Sequence, residues 1–359
     1  MYVSYYNTTD VDNESTTSTE AVIAVTNSTP QHNFSTTTHI YENIAPVTLL
    51  FFFGVAGNII AVLVLFCSSK THKWRPFYKL VCGLAISDGG GILASYPIAE
   101  YRYISNFEYV FPKHLCDYLG FVFMFTLMSS AMIVCCMSID RFFAIFFPFL
   151  YNTPTKNRRT WIMLGIVWIL AGVLSSLHLY GLGASMNYYP GSWCFLDFID
   201  MSVTSKVIYS YIYATTGAIV VIMTVFINFL VIIFFIRNKF SKTATKTKRN
   251  DLPVVLFLLA IVVLFTSCWA PLMVNVFQHA TFSVSGQGKT ELTFLRMAVT
   301  NSVIDPWLYI LFRKENLVML VNFGNRLLGR NNSPRPSNTS RSRDSQKTNN
   351  ETIKTISTM

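Results

Sequence analysis

Residues Leu295 to Arg313 read LRMAVTNSVIDPWLYILFR, an apolar run of helix length with Arg296, Asn301, Asp305 and Pro306 set inside it. A soluble helix turns such groups to water on one face, whereas a helix in hydrocarbon must bury them against partners. The rest of the chain decides between the two. It has 359 residues, 52% hydrophobic and 13% charged, with a mean hydropathy of +0.41, which is a membrane composition. Mainly apolar runs, each near the roughly 20 residues that a spanning helix needs, lie at 44–66, 76–101, 115–146, 160–181, 206–236, 253–279 and 291–312. The expected fold is all-α: a seven-transmembrane helix bundle forming one domain over residues 44–312.

Placement of Lys and Arg orients this bundle. Segments 1–43, 102–114, 181–206 and 280–290 hold four between them, and residues 1–43 hold none. The alternate connections, taken with the start of the C-terminal segment, hold 16. The positive-inside rule then puts the N-terminus outside and the C-terminus in the cytosol, as in a multi-pass plasma-membrane protein. The formal charge of +10 is largely this collar with the tail, so nucleic acid is not needed to explain it. Residues 1–43 lack the cationic start and apolar core of a signal peptide, which leaves the first span to direct insertion. Asn7, Asn13, Asn27 and Asn33 each begin an N-x-S/T acceptor, so residues 1–43 are expected to form a glycosylated extracellular tail. The motif is permissive, because Asn338 and Asn350 match it in a tail that must be cytosolic. Residues 313–328 place charged and apolar groups at roughly helical spacing and read as an amphipathic eighth helix on the inner leaflet. Residues 329–359, rich in Ser, Thr, Asn and Arg, read as a disordered cytoplasmic tail.

A charged group in mid-span costs roughly 2.5–3.5 kcal/mol on insertion scales and calls for a partner. Asn58 in GNIIA, Asp88 in LAISDGGG, and Asn301 with Asp305 are expected to partner one another where spans one, two and seven meet. That cluster is either a hydrated core, with a sodium ion as candidate occupant, or packing glue. Pro271 in CWAP and Pro306 in DPWLY each remove a backbone hydrogen bond, predicting kinks that suit a switch or serve packing alone. Asp140 and Arg141, at the inner end of span three, read as a resting ion pair or as side chains snorkelling to the interface. Arg296 lies nine positions before Asp305, about 13 Å toward the outside at 1.5 Å per residue. Its guanidinium needs an acceptor: a ligand carboxylate or phosphate, or else Glu100 or Glu291. Tyr103, at the outer end of span two, could donate to the same anion. Glu100 would repel an anion there and is read as facing Arg102 or Lys113.

Of seven cysteines, five fall in or at the inner ends of spans, while Cys116 and Cys194 face an oxidising compartment. A bridge between these two is the economical pairing, with two free thiols the alternative. It would tie the connection NYYPGSWCFLDF to the top of span three. Trp193 and Phe195 would then sit over the bundle as a roof.

GNIIA, LAISD, Cys116 with Cys194, DRF, CWAP and DPWLY occur once each, spread over expected spans one, two, three, six and seven and the second outer connection, and together resemble the class A (rhodopsin-like) G-protein-coupled receptors. The resemblance covers nearly all of residues 44–328. Within that class, GSWCF is similar to the outer-loop signature G-T-W-C-F of the prostanoid receptors, and the opening stretch resembles their seventh helix. GLGASMNYYPGSWCFLDF and YSYIYA look most like the prostaglandin E2 branch, subtype 4. The resemblance implies a ligand site of Arg296, Tyr103, Ser192 and Trp193, with the arginine on a lipid carboxylate. It also implies that Asp140, Arg141, Trp269, Pro271, Pro306 and Tyr309 carry activation and G-protein coupling. The implied function is a receptor for prostaglandin E2 or a related acidic lipid that acts on a heterotrimeric G protein and raises cyclic AMP. Arrestin and receptor kinases are the partners implied for the tail. The alternative is a prostanoid-like receptor for another acidic lipid, coupled to calcium or inhibitory pathways. Val299, Ala99 and Leu127 stand where subtype 4 has polar residues, and Trp269 stands where it has serine. No cysteine follows the eighth helix to anchor it through palmitate.

Other classes lack their required residues. A retinal receptor needs a lysine in span seven, and residues 291–312 contain none. An amine receptor wants an aspartate seven positions after Cys116, where Phe123 stands. Internal repeats or paired interrupted helices, expected of a transporter, are not evident. A nucleophile with its base, or a metal cluster, is not evident either, and His178 reads as a packing residue rather than a catalyst.

Overall fold

The computed structural model describes residues 43–67, 75–200, 202–240, 252–282 and 288–311. Long helices form at each expected span: α1 Ala45–Cys67, α2 Pro76–Ile104, α3 Lys113–Phe146, α4 Lys156–Ser176, α5 Thr204–Phe240, α6 Leu252–Phe282 and α7 Gly288–Leu311. In hydrocarbon every backbone N–H and C=O must be satisfied within its own segment, and an apolar run of this length does so only as a helix. Six of the seven are long and apolar enough to cross a membrane. The exception, α7, has 24 residues but includes Lys289, Glu291, Arg296 and Asp305. It is held by its neighbours, packing along α1 on one side and α6 on the other.

The ring of contacts runs α7–α1–α2–α3, with α4 and α5 on the far side of α3 and α6 closing between α5 and α7. The span of α3 is 72% buried against 22% for α5, which makes α3 the hub. Large apolar side chains such as Phe52, Leu63, Ile169 and Ile222 face outward. Buried polar and small groups such as Ser129, Thr224 and Ser302 face in. That inversion suits a bilayer, where Leu gains nothing from facing another helix and small residues let backbones approach. At Gly217 a Cβ would lie 2.5 Å from the Trp269 ring and 2.7 Å from Met273 Sδ, so only glycine lets α5 close on α6 there.

Two short strands complete the described chain. In the connection between α4 and α5, β1 Ser185–Tyr188 and β2 Trp193–Leu196 pair antiparallel, Ser185 opposite Leu196 and Tyr188 opposite Trp193. A helical turn at Pro148–Tyr151 and a 3₁₀ turn at Leu177–Tyr180 punctuate the ends of α3 and α4. The glycosylation acceptors Asn7, Asn13, Asn27 and Asn33, the eighth helix over 313–328 and the tail over 329–359 lie outside the described residues.

Candidate functional site

The hairpin forms a lid because three separate devices hold it. Cys194 on β2 is bridged to Cys116 near the start of α3, with Cα atoms 5.3 Å apart. Around that bridge Trp193, Phe195, Leu196 and Phe198 are all buried. The Tyr188 ring stacks between Trp193 at 4.7 Å and Phe198 at 5.2 Å, its hydroxyl donating to Leu196 O at 2.6 Å and accepting from Phe198 N–H at 3.2 Å. Burial, first, and the charge of nearby Asp197 hold the Tyr188 phenol well above its ordinary pKa, so it stays a donor. The third device is Arg102, only 8% exposed, whose guanidinium donates to Gly191 O at 3.2 Å and to Tyr109 O and lies over the Phe107 ring. Arg102 thus clasps the α2–α3 connection to the tip of the hairpin. Gly183 is required where the hairpin meets α5: its φ is +97° and a Cβ would meet Tyr209 at 2.4 Å.

Arg102 therefore faces backbone carbonyls, and Lys113 pairs with Asp117 at 2.8 Å. Neither takes Glu100, the partner expected from sequence; Arg102 and Glu100 are two positions apart and so point to different faces of α2, while the loop tips offer the guanidinium carbonyl acceptors. Glu100 Oε1 is buried without a hydrogen bond among the described residues. Glu291 lies 3.5 Å from His279, both nearly fully buried, at the hairpin end of the α6–α7 contact.

Arg296 and Tyr103 meet. Arg296 Nη2 lies 3.5 Å from the buried Tyr103 hydroxyl, at the long end of hydrogen-bond range. Tyr96 is within electrostatic reach of the same guanidinium. One helical turn deeper, Tyr96, Phe123, Leu127, Val299 and Ser302 enclose a cavity of about 10 Å³, room for about one water. Leu127 and Val299 share that wall. Trp193 reaches the bundle from above with its indole N–H already given to Tyr189 O at 2.8 Å, so it presents ring surface only. Ser192 is buried beside it at the hairpin tip.

Mid-bundle, Asn58 Nδ2 donates to Gly54 O at 2.9 Å and to Ser302 O at 3.2 Å, and Asn301 Nδ2 donates to Asp305 Oδ2 at 2.9 Å. Asp88 is fully buried and takes hydroxyls from Ser130 on α3 and Ser302 on α7. The cluster therefore includes α3 as well as the three helices expected. Asn58 Oδ1, Asp88 Oδ2, Asn301 Oδ1 and Asp305 Oδ1 are buried oxygens with no hydrogen-bond donor among the described residues.

The model of the family described as 7 transmembrane receptor (rhodopsin family) matches residues 57–309. The chain belongs to that family. Among individual relatives, the thromboxane A2 receptor of Mus musculus is 32% identical over 279 residues, which cover 74% of this chain and 81% of that one. The prostaglandin E2 receptor EP4 subtype of Rattus norvegicus is 30% identical over 324 residues, covering 76% of this chain and 66% of the relative; the Homo sapiens protein of that name is 29% identical over 338 residues. The receptor thus lies in the prostanoid branch, is not an enzyme, and spans about two thirds of the EP4-subtype length. Squid rhodopsin shares the fold, with a TM-score of 0.66 at 19% identity over 79% of this chain and 85% of its own.

At the end of the receptor opposite the hairpin, Arg141 Nη2 lies 2.6 Å from Asp140 Oδ2, both largely buried, and the guanidinium covers the Phe77 ring at 4.8 Å. The pair is thus closed rather than snorkelling apart. Tyr151, from the helical turn after α3, donates to Asp140 Oδ1 at 3.0 Å. Trp269 is 1% exposed and stacks on Phe265 at 5.5 Å, one helical turn before it on α6. Pro271 and Pro306 lie inside α6 and α7, and Tyr309 is buried. Sequence reasoning missed Ser130, Ser302, Tyr151 and the Arg102 clasp. Hydroxyls at these positions look like ordinary helix residues until a second helix supplies the carboxylate.

Proposed function

We propose that the receptor binds an acidic lipid, prostaglandin E2 or a relative, through its carboxylate on Arg296 and Tyr103, and passes the event to a heterotrimeric G protein. The observation that carries this reading is a half-buried guanidinium inside an apolar helix with a phenol beside it. Such a group gains most from a planar anion that accepts two N–H donors. The hairpin end faces outside in this reading, and the carboxylate enters beneath the lid while its chains spread the apolar wall of Tyr96, Phe123, Leu127 and Val299. Trp193 and Ser192 cover it. Because the lid is pinned at Cys194 and clasped at Arg102, the bilayer is the easier route in for a lipid.

Binding acts by preferring one of two bundle arrangements. In the resting arrangement Asp140 holds Arg141. In the other, α6 swings about Pro271 beneath Trp269, α7 adjusts at Pro306, and Arg141 with Tyr309 lines an opening for a helix of the G protein. The four donor-free oxygens of Asn58, Asp88, Asn301 and Asp305 fit a hard cation such as sodium, which takes oxygen ligands, and such an ion would favour the resting arrangement. Arrestin and receptor kinases would act on residues 329–359.

A second reading has support of its own. Apolar Leu127 and Val299 and the Trp269–Phe265 stack differ from the subtype-4 pattern, which favours a less polar acidic lipid and coupling to calcium or inhibitory pathways. Both readings are tested in cells that express the chain, by recording cyclic AMP and calcium after prostaglandin E2 or a stable thromboxane A2 analogue, for wild type and Arg296→Ala. A wild-type response that collapses in the variant at equal surface expression supports the carboxylate pairing, and the messenger that moves identifies the coupling. A variant that responds like wild type overturns the role given to Arg296.

A further inference from the structure

At the end of the receptor opposite the hairpin, a cleft of about 250 Å³ opens between the last turns of α3, the start of α4 and the helical turn at Pro148–Tyr151. Its floor is apolar, made by Ile139 and Phe143 on α3 and Met163 on α4, and Phe143 is 43% exposed. Both helices are membrane spans, so this floor faces acyl chains. The rim is cationic. Lys156 and Arg159 line it from the first turn of α4, three positions apart and therefore on one face, with about 5–6 Å between their Cβ atoms. Lys156 is half-buried and Arg159 exposed, and neither is in an ion pair among the described residues. No acidic residue stands in that turn to neutralise them. Asp140 also lines the cleft, but its charge is taken up by Arg141 at 2.6 Å and by the Tyr151 hydroxyl at 3.0 Å.

This pattern selects its occupant by charge. Two unpaired cations on one helical face suit a group with about two negative charges and several acceptor oxygens. A phosphate monoester carries both charges, where a phosphodiester carries one. The apolar floor running into the bilayer suits the chains attached to such a group. This end of the receptor also holds the lysines and arginines that the positive-inside rule assigns to the cytosol, where the leaflet is anionic. We propose that the cleft binds a phospholipid of the cytosolic leaflet whose headgroup is a phosphate monoester. The phosphate lies between Lys156 and Arg159, and an acyl chain runs along Phe143 and Met163. Tyr151 lines the cleft too, and its hydroxyl donates to Asp140, so the occupant lies against the contact that steadies the Asp140–Arg141 pair. The site is at the opposite end of the bundle from Arg296 and does not depend on the carboxylate reading.

The test is photolabelling of the full-length receptor in phosphatidylcholine nanodiscs that carry a trace of phosphatidic acid or, separately, of phosphatidylglycerol, each with a diazirine on its acyl chain. Labelled peptides are mapped by mass spectrometry. Phosphatidic acid, the monoester, is expected to label residues 139–163 over phosphatidylglycerol, the diester, by about fivefold, the worth of one further charge against a basic side chain at the membrane surface. Lys156→Gln and Arg159→Gln are each expected to remove about that preference. Arg158→Gln, a change of the exposed neighbour that does not line the cleft, is expected to leave it, and so is Arg296→Ala, which keeps a failure of the carboxylate reading distinguishable. In wild type alone, unlabelled phosphatidic acid competes, whereas phosphatidylcholine and water-soluble glycerol 3-phosphate do not, which decides the matter even where a variant fails to fold. Equal labelling by phosphatidylglycerol means general attraction of anionic lipid, and an equal loss in Arg158→Gln means a diffuse basic collar. Competition by glycerol 3-phosphate means a site for free phosphate. Any of these results overturns the proposal, as does labelling that ignores both cleft variants.

Discussion

Arg296 is a permanent charge inside an apolar helix, and the Tyr103 hydroxyl lies 3.5 Å from it. The two should not matter equally. Removing a guanidinium paired with a ligand carboxylate removes a charge-assisted interaction of about 2–3 kcal/mol, near 100-fold in affinity, whereas removing a neutral hydroxyl costs about 1 kcal/mol, near fivefold. Tyr103→Phe is therefore expected to weaken competition against labelled prostaglandin E2 by about fivefold, with Arg296→Ala near 100-fold. Equal losses in the two variants would mean that the phenol holds the arginine in place rather than meeting the ligand. The central cluster makes a residue-scale prediction of its own. Asp88 keeps one oxygen free of donors, so Asp88→Asn is expected to abolish any dependence of agonist affinity on sodium, read by comparing binding in sodium and potassium buffers. Sodium sensitivity that survives the change would place the cation elsewhere.

At the scale of elements, the hairpin of β1 and β2 is a small sheet that would not stand alone, since two strands are marginal without a face to pack on. It stands because the Cys116–Cys194 bridge fixes one end, the Tyr188 stack fills its underside, and Arg102 holds its tip. Arg102→Lys is expected to lower the unfolding midpoint and slow ligand dissociation less than wild type does. A single ammonium cannot span both Gly191 O and Tyr109 O, and a buried carbonyl left unpaired costs about 1–3 kcal/mol. Thermal unfolding of the purified receptor together with a ligand off-rate reads this. An unchanged midpoint would show that the disulfide and the aromatic stack hold the lid without the clasp.

Across the whole molecule, α3 carries a contact at each of three levels: Cys116 at the hairpin end, Ser130 on Asp88 in the middle, and Asp140 on Arg141 at the opposite end. The span of α3 is 72% buried, and the proposed function would pass the event between the two ends of the receptor through the packing around it. Breaking the resting contact should therefore release signalling without ligand. Asp140→Asn is expected to raise basal messenger output by several-fold, because a broken buried pair shifts the balance by about 1 kcal/mol or more. Tyr151→Phe, which removes a single hydroxyl from the same carboxylate, is expected to raise it less. Basal output that stays at the wild-type level in Asp140→Asn, at matched surface expression, would make the pair structural only.

The spans, the cysteine pairing and the identity of Arg296 as the odd charge were legible in the chain because each follows from a one-dimensional rule. Hydrocarbon demands long apolar helices, an oxidising side leaves two cysteines, and a lone guanidinium in a span demands an anion. The Arg296–Tyr103 approach was also within reach, since both residues lie at the same end of their spans. Partnerships among ordinary residues were not. Ser130 and Ser302 became parts of a polar site only when another helix brought Asp88 to them, and Tyr151 only when the turn after α3 folded back on Asp140. Arg102 was read toward Glu100, yet the folded loop offered it two carbonyls. By itself the sequence determined which segments enter the membrane and which charges they carry, because transfer from water depends on composition. Tertiary structure decided which polar groups meet, because that depends on how the helices rotate and pack, and no spacing within a single helix encodes it.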